Sequence, residues 1–170
     1  MAQFAMANST RSIGRHKILY DSRDWMRNLI LIFASSLFLC ACAKSFDHDP
    51  KLAARRAEEF AQATFVNRDI DGGYRLLADN AKRYVPLEKF KETVVKLHPG
   101  AYPNKVTATD YEPMAGETAI YVYLTGENDG EHFYYTLTLN GTAATDYKVV
   151  RFSRGSSAFG STSQKQPVTR

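Results

Sequence analysis

Two cysteines, three histidines downstream of them and one cluster of side-chain oxygens are the residues whose types and spacing could do chemistry in this chain of 170 residues. Cys40 and Cys42 stand in Leu39-Cys40-Ala41-Cys42, and a thiolate can serve as nucleophile or metal ligand. No cysteine follows Cys42, so the chain beyond it has neither a disulfide framework nor a thiolate metal site. Asn67-Arg68-Asp69-Ile70-Asp71-Gly72 matches the opening of a calcium loop, where alternate oxygens and a Gly at position six wrap a hard cation. Position twelve, which must supply a bidentate Glu, is Ala78, so the stretch reads instead as a helix-to-helix turn capped by Asp69. His48 falls in a tether, and neither His98 nor His132 has a ligand-spaced neighbour. His98 is expected to partner a helix C-terminus. G-x-S-x-G, H-E-x-x-H and a phosphate-cradling glycine loop are all missing. No metal and no cofactor is expected.

The element that positions the cysteines is the stretch from Met26 to Cys42, MRNLILIFASSLFLCAC. A positive start at Arg27, an apolar run from Leu29 to Leu39 and a small-residue end are the layout of a secretory signal. The segment resembles a bacterial lipoprotein signal, whose lipobox asks for Leu at minus three, a small residue at minus one and an invariant Cys. Leu39, Ala41 and Cys42 meet those demands, which implies lipidation at Cys42. A transmembrane helix fits less well. The apolar stretch ends before Lys44, and its roughly 22 Å at 1.5 Å per residue falls short of a hydrocarbon core of about 30 Å. Residues 1–25 precede a methionine that opens a complete signal by itself, so they are expected to be a misassigned upstream start. Residues 26–41 are then the signal peptide, 42–48 the lipidated tether, 49–154 one domain and 155–170 a disordered tail rich in Gly, Ser, Thr and Gln. Ala43 after the anchor suggests the outer membrane where the source has two membranes.

Removing the leader also changes the charge. Residues 1–41 hold five Lys/Arg and two Asp, so the totals of 22 basic and 18 acidic residues become 17 and 16, a mature charge of +1. That is no footprint for a phosphate backbone, and no nucleic-acid partner is expected. The 129 residues that remain can bury one core.

Asp49-Pro50 has helix-start chemistry, and Ala53, Ala57, Phe60, Ala61 and Thr64 recur at helical spacing, predicting a helix from Pro50 to Val66. A short second helix carries Tyr74, Leu77 and Ala78 or Ala81. Leu87, Phe90, Val94 and Leu97 mark a third, ended by His98-Pro99-Gly100. From Val106 the period becomes two, with strands at Val106–Glu112, Glu117–Thr125, Glu131–Asn140 and Asp146–Phe152. A four-residue loop at Glu127-Asn128-Asp129-Gly130 would pair Leu124 with Phe133, Val122 with Tyr135 and Ile120 with Leu137. In the last strand Tyr147/Val149 and Val150/Phe152 are both acceptable as inward pairs. Tyr121, Tyr123, His132 and Tyr134 fall on the face opposite the helices, where an exposed aromatic group would form an interaction surface or homodimer interface. The competing expectation is a face covered by tether or tail.

Three helices followed by an antiparallel meander of about four strands define an α+β domain, helices packed on one face of a curved sheet. Three stretches, Asp71-Gly72-Gly73-Tyr74, Val85-Pro86-Leu87-Glu88-Lys89-Phe90 and Tyr147-Lys148-Val149-Val150, resemble the nuclear-transport-factor-two-like, cystatin-related cone superfamily, especially its small bacterial lipoproteins. The resemblance covers about Asp49 to Arg154, and relatives commonly carry Trp where Tyr147 stands. It implies a cone fold. Some superfamily members are isomerases or dehydratases of the ketosteroid-isomerase type with an Asp base and Tyr or His donors inside the cone. By that resemblance Asp110, Tyr74, Tyr111 and Tyr135 become candidates for a cavity. Strand tyrosines usually pack as core with a wet hydroxyl, and a non-catalytic binding module in the cell envelope is the favoured expectation.

Overall fold

A computed structural model describes residues 46–155 and 164–169. Four helices precede an open antiparallel sheet of five strands, so the architecture is α+β. Helix α1 spans Pro50–Ala61 and runs into a π-helical turn, Gln62–Val66. Asp49 caps it, its Oδ1 accepting from the Leu52 amide at 3.0 Å. Ala53, Ala54, Ala57, Phe60 and Ala61 are its buried residues, and the small side chains let the helix lie close to the sheet. The expected length is therefore right, but its last turn is wound more widely.

The second expected helix is two, α2 (Ile70–Arg75) and α3 (Asp79–Tyr84). The break between them is tertiary in origin. Leu77 pairs with Val149 at the sheet edge, the Ala78 amide donating to the Val149 carbonyl at 2.8 Å. Backbone groups committed to a strand edge cannot also close helical turns. Helix α4 occupies Leu87–Leu97.

Strands β1 (Lys105–Pro113), β2 (Ala119–Asn128), β3 (Glu131–Thr142) and β4 (Asp146–Gly155) form the meander, and β5 (Gln166–Pro167) adds to the free side of β1. The β2–β3 register corrects the sequence expectation. Leu124 faces Tyr135, Val122 faces Leu137 and Ile120 faces Leu139, two residues away from the expected pairs. The turn is only Asp129-Gly130, at φ 45° and 86°, because Asp-Gly tolerates positive φ at both positions and the tight turn follows the strand twist. A slip of two keeps side-chain parity, so the inward set is unchanged. It does place Tyr123 opposite Thr136 and Thr125 opposite Tyr134.

Strand β4 follows the Tyr147/Val149 parity and, of the other expected pair, turns only Phe152 inward. A bulge beside Thr138/Leu139 sets Leu139 against Val149 and Thr138 against Arg151, leaving Val150 as the extra residue. Tyr147 and Val149 point inward before it and Phe152 after it, where Phe152 meets Phe60 at 5.3 Å and Phe90 at 5.5 Å between ring centroids.

Both sheet edges are covered in their middle. On β1 the Ala108 amide donates to Glu58 Oε1 at 2.7 Å and the Thr109 carbonyl accepts from Val168 at 3.0 Å; on β4 Leu76–Ala78 covers Val149. Such caps remove templates for edge pairing. They also overturn the expectation of a wholly disordered tail. Val168 packs against the core and the Tyr111 hydroxyl donates to Gln166 Oε1 at 2.6 Å, so apolar contact and an edge ladder hold residues whose composition alone argues for disorder.

The core is aromatic: Phe60, Phe65, Phe90, Phe133, Tyr135 and Tyr147 are fully buried between helices and sheet. Among the described residues, one buried polar side-chain atom is unmatched. Thr64, in the π turn, is fully buried and its hydroxyl has no hydrogen-bond partner. Thr64→Val keeps the shape and removes an unmatched group that costs about 1–3 kcal/mol, so denaturant melts should show an unchanged or raised stability. A loss above about 1 kcal/mol would show that the hydroxyl has a partner in solution.

Candidate functional site

The four residues expected to share a cavity do not converge. Tyr135 is in the core, whereas Asp110 lies on the outer sheet face, paired with Tyr123. A bulge at Thr109 shifts the parity of β1 and sets Asp110 and Glu112 beside Tyr123 and Tyr121. Tyr111 therefore sides with Val122 on the helix face, tied to Gln166. Tyr74 donates to the Val85 carbonyl at 3.1 Å and rests on Phe90, ring centroids 5.7 Å apart. Among the described residues the buried polar side chains are Thr64 and His98, and neither is a carboxylate. The Asp/Tyr arrangement that the superfamily resemblance implied is not assembled by these residues.

What Tyr135 meets instead is His98. The ring is 4% exposed; it stacks on Tyr102 at 4.5 Å and tilts against Phe65 at 5.0 Å. His98 Nδ1 lies 3.1 Å from the Val94 carbonyl and Nε2 2.8 Å from the Tyr135 hydroxyl. A carbonyl can only accept, so Nδ1 carries the proton and Tyr135 donates to Nε2. Burial, with nearby Arg154 adding, pushes the His98 pKa below its ordinary value, and burial pushes the Tyr135 hydroxyl well up. His98 does sit at the end of α4, yet as a neutral ring in the core and not as a cation facing the dipole.

The outer-face set is brought together but unevenly. Tyr121, Tyr123, His132 and Tyr134 share the face, and His132 stacks on Tyr134 at 6.5 Å. Tyr123 is only 9% exposed. Its hydroxyl donates to Glu112 Oε2 at 3.0 Å, and Lys165 Nζ stands 4.0 Å above its ring. Burial first, and Glu112 second, raise its pKa to about 12. The C-terminal segment thus covers the middle of the face, while His132 is exposed and Tyr121 and Tyr134 are half-buried.

The calcium-like stretch is a turn. Asp69 Oδ1 accepts from the Gly72 amide at 2.8 Å and Asn67 Oδ1 from Gln62 at 3.1 Å, so both side chains already serve the chain.

A polar site that sequence reasoning missed lies where the chain enters the domain. The Asp49 amide donates to the Tyr147 hydroxyl at 2.9 Å, Tyr147 lies 3.3 Å from His48 Nδ1, and His48 Nε2 lies 3.3 Å from the Glu117 carbonyl. The carbonyl again fixes the tautomer: Nε2–H donates to Glu117, and Tyr147 donates to Nδ1. Burial raises the Tyr147 pKa. Alongside, Arg56 Nε donates to Asp146 Oδ1 at 2.8 Å, and that hydrogen bond draws the Asp146 carboxyl below the usual range. These bonds pin the chain entry to the β1–β2 and β3–β4 hairpins. Nothing in a lone tether histidine signals this; the only cue was the inward parity of Tyr147.

The geometry defines an α+β domain with a buried aromatic core, a partly covered outer face and a clamped chain entry. No family model, no curated protein and no solved structure matches the chain. Among the described residues no helix is long and apolar enough to cross a membrane; Met26–Cys42 lies outside them.

Proposed function

We propose that this protein is a lipid-anchored lipoprotein of the cell envelope, acylated at Cys42, whose single domain of the cone type acts by binding and not by catalysis. The observation that carries the reading is Leu39-Cys40-Ala41-Cys42 closing an apolar run, with a domain clamped at His48 only six residues later. Two bulges in a sheet with helices on one face favour the cone assignment. The separation of Asp110 on the outer sheet face from Tyr135 in the core favours binding at a surface over chemistry in a cavity. The partner is an envelope protein or a second copy meeting Tyr121, His132 and Tyr134, and Ala43 favours the outer membrane in a two-membraned source.

Mass spectrometry of the N-terminal peptide of the native protein tests the anchor. The expected peptide starts at Cys42 and carries acyl mass. A native chain that retains residues 26–41, or starts at an unmodified residue, overturns the reading. For the surface, Tyr121→Ser with Tyr134→Ser should lower the crosslinked mass of the membrane-bound protein; an unchanged pattern discards that face.

A further inference from the structure

We propose that the tether holds the domain end-on against the bilayer, with the tips of the β1–β2 and β3–β4 hairpins as its lipid-facing surface. The proposal rests on acylation at Cys42 and adds which end of the domain meets the membrane. His48 is bound to Glu117 in the first hairpin and to Tyr147 at the base of the second, so the entry point cannot swing away from either tip. From Cys42 to His48 are six peptide steps, which reach about 20 Å at full extension. A lipid on Cys42 therefore keeps His48 within that distance of the headgroups.

The tips suit such a neighbour. Residues 114–118, Met-Ala-Gly-Glu-Thr, and 142–145, Thr-Ala-Ala-Thr, contain one charged side chain between them, and Ala115, Gly116, Ala143 and Ala144 are exposed. Lys51 and Lys148, also exposed, flank the clamp and offset exposed Asp47 and Glu117 there. At the other end of β2 and β3 the turn carries exposed Glu127, Asp129 and Glu131. Arg154 pairs with Glu131 and Lys105 lies opposite Glu127, so the tips and the short tether, rather than net charge, decide the orientation. Ten residues of β2 place that turn about 33 Å beyond the tips.

Acylation consumes the Cys42 thiol and signal cleavage removes Cys40, so a cysteine introduced into the mature domain is the only labelling site. The acylated full-length product, its N-terminal peptide checked by mass, is reconstituted in phosphatidylethanolamine/phosphatidylglycerol vesicles bearing headgroup nitroxides. A fluorophore on Ala115→Cys or Ala144→Cys should be quenched several-fold more than one on Glu127→Cys. Inserting about ten Gly and Ser residues between Ser45 and Phe46, which adds about 18 Å of r.m.s. reach, should abolish the difference with acylation intact. Equal quenching at all three sites overturns the orientation, and tips still quenched with the long tether overturn the tether as what holds it. An unacylated chain overturns both the orientation and the anchor on which it rests.

Discussion

Acidification should weaken this domain in two separated steps, the first of which disappears when His98 is replaced by Phe. His98 is neutral in the fold because its ring is buried and its Nε2 already accepts from Tyr135. Its folded pKa lies below the ordinary 6.5, so the unfolded chain binds the proton more readily. Stability is then full above pH 6.5 and falls as pH drops from 6.5 toward the lowered folded value, below which this contribution levels off. Burial outweighs the Val94 carbonyl, which accepts from Nδ1 at 3.1 Å and by itself favours the charged ring. Arg154, whose Nη1 donates to the Leu97 carbonyl at 2.8 Å, repels a charged His98, and Tyr102, Phe65 and Phe133 offer it no compensating anion. Asp146 also has a lowered pKa, from its Arg56 hydrogen bond, but its contribution is lost only as pH falls below the ordinary 3.8. Urea titrations across pH 5 to 7 read the first step. Tyr135→Phe should cost about 1–3 kcal/mol at neutral pH by stranding the buried Nε2. If His98→Phe retains the wild-type slope between pH 5 and 7, the neutral buried ring is wrong.

Tyr147→Ala should be the most damaging substitution at the chain entry, lowering stability by about 3–5 kcal/mol, the range for removing a buried aromatic ring. The side chain is fully buried and holds both the Asp49 amide and His48. Tyr147→Phe separates the two contributions, because the ring remains and only the hydroxyl goes. That variant should lose about 0.5–1.5 kcal/mol, with faster amide exchange confined to Asp49 and the first turn of α1. Equal losses in the two variants would mean that the hydroxyl, and not the packing, dominates. Unchanged exchange at Asp49 in Tyr147→Phe would remove the clamp from the account.

Much of the architecture was legible in the chain because it is set by local chemistry. Asp49-Pro50 starts α1, Val85-Pro86 precedes α4, and the alternation from Ile120 to Leu139 defines an inward face that survives a register shift of two. Turn length was harder to read, since Asp129-Gly130 tightens the loop only if both residues adopt positive φ. Bulges were not legible at all. The extra residues at Thr109 and Val150 reverse side-chain parity within a strand, which is why Asp110 turned out on the outer face and why Phe152 and Tyr147 could both point inward.

By itself, then, the sequence determined that helices precede an antiparallel meander and which apolar residues face inward, both of which depend on residues near one another in the chain. Tertiary structure alone decided the long-range polar contacts. His98 with Tyr135 and His48 with Tyr147 are separated by 37 and 99 residues, and the Lys165–Val168 segment is ordered only because β1 offers it an edge and Tyr123 a ring. A buried donor must find its acceptor wherever packing puts one, and that position is fixed by the whole chain at once.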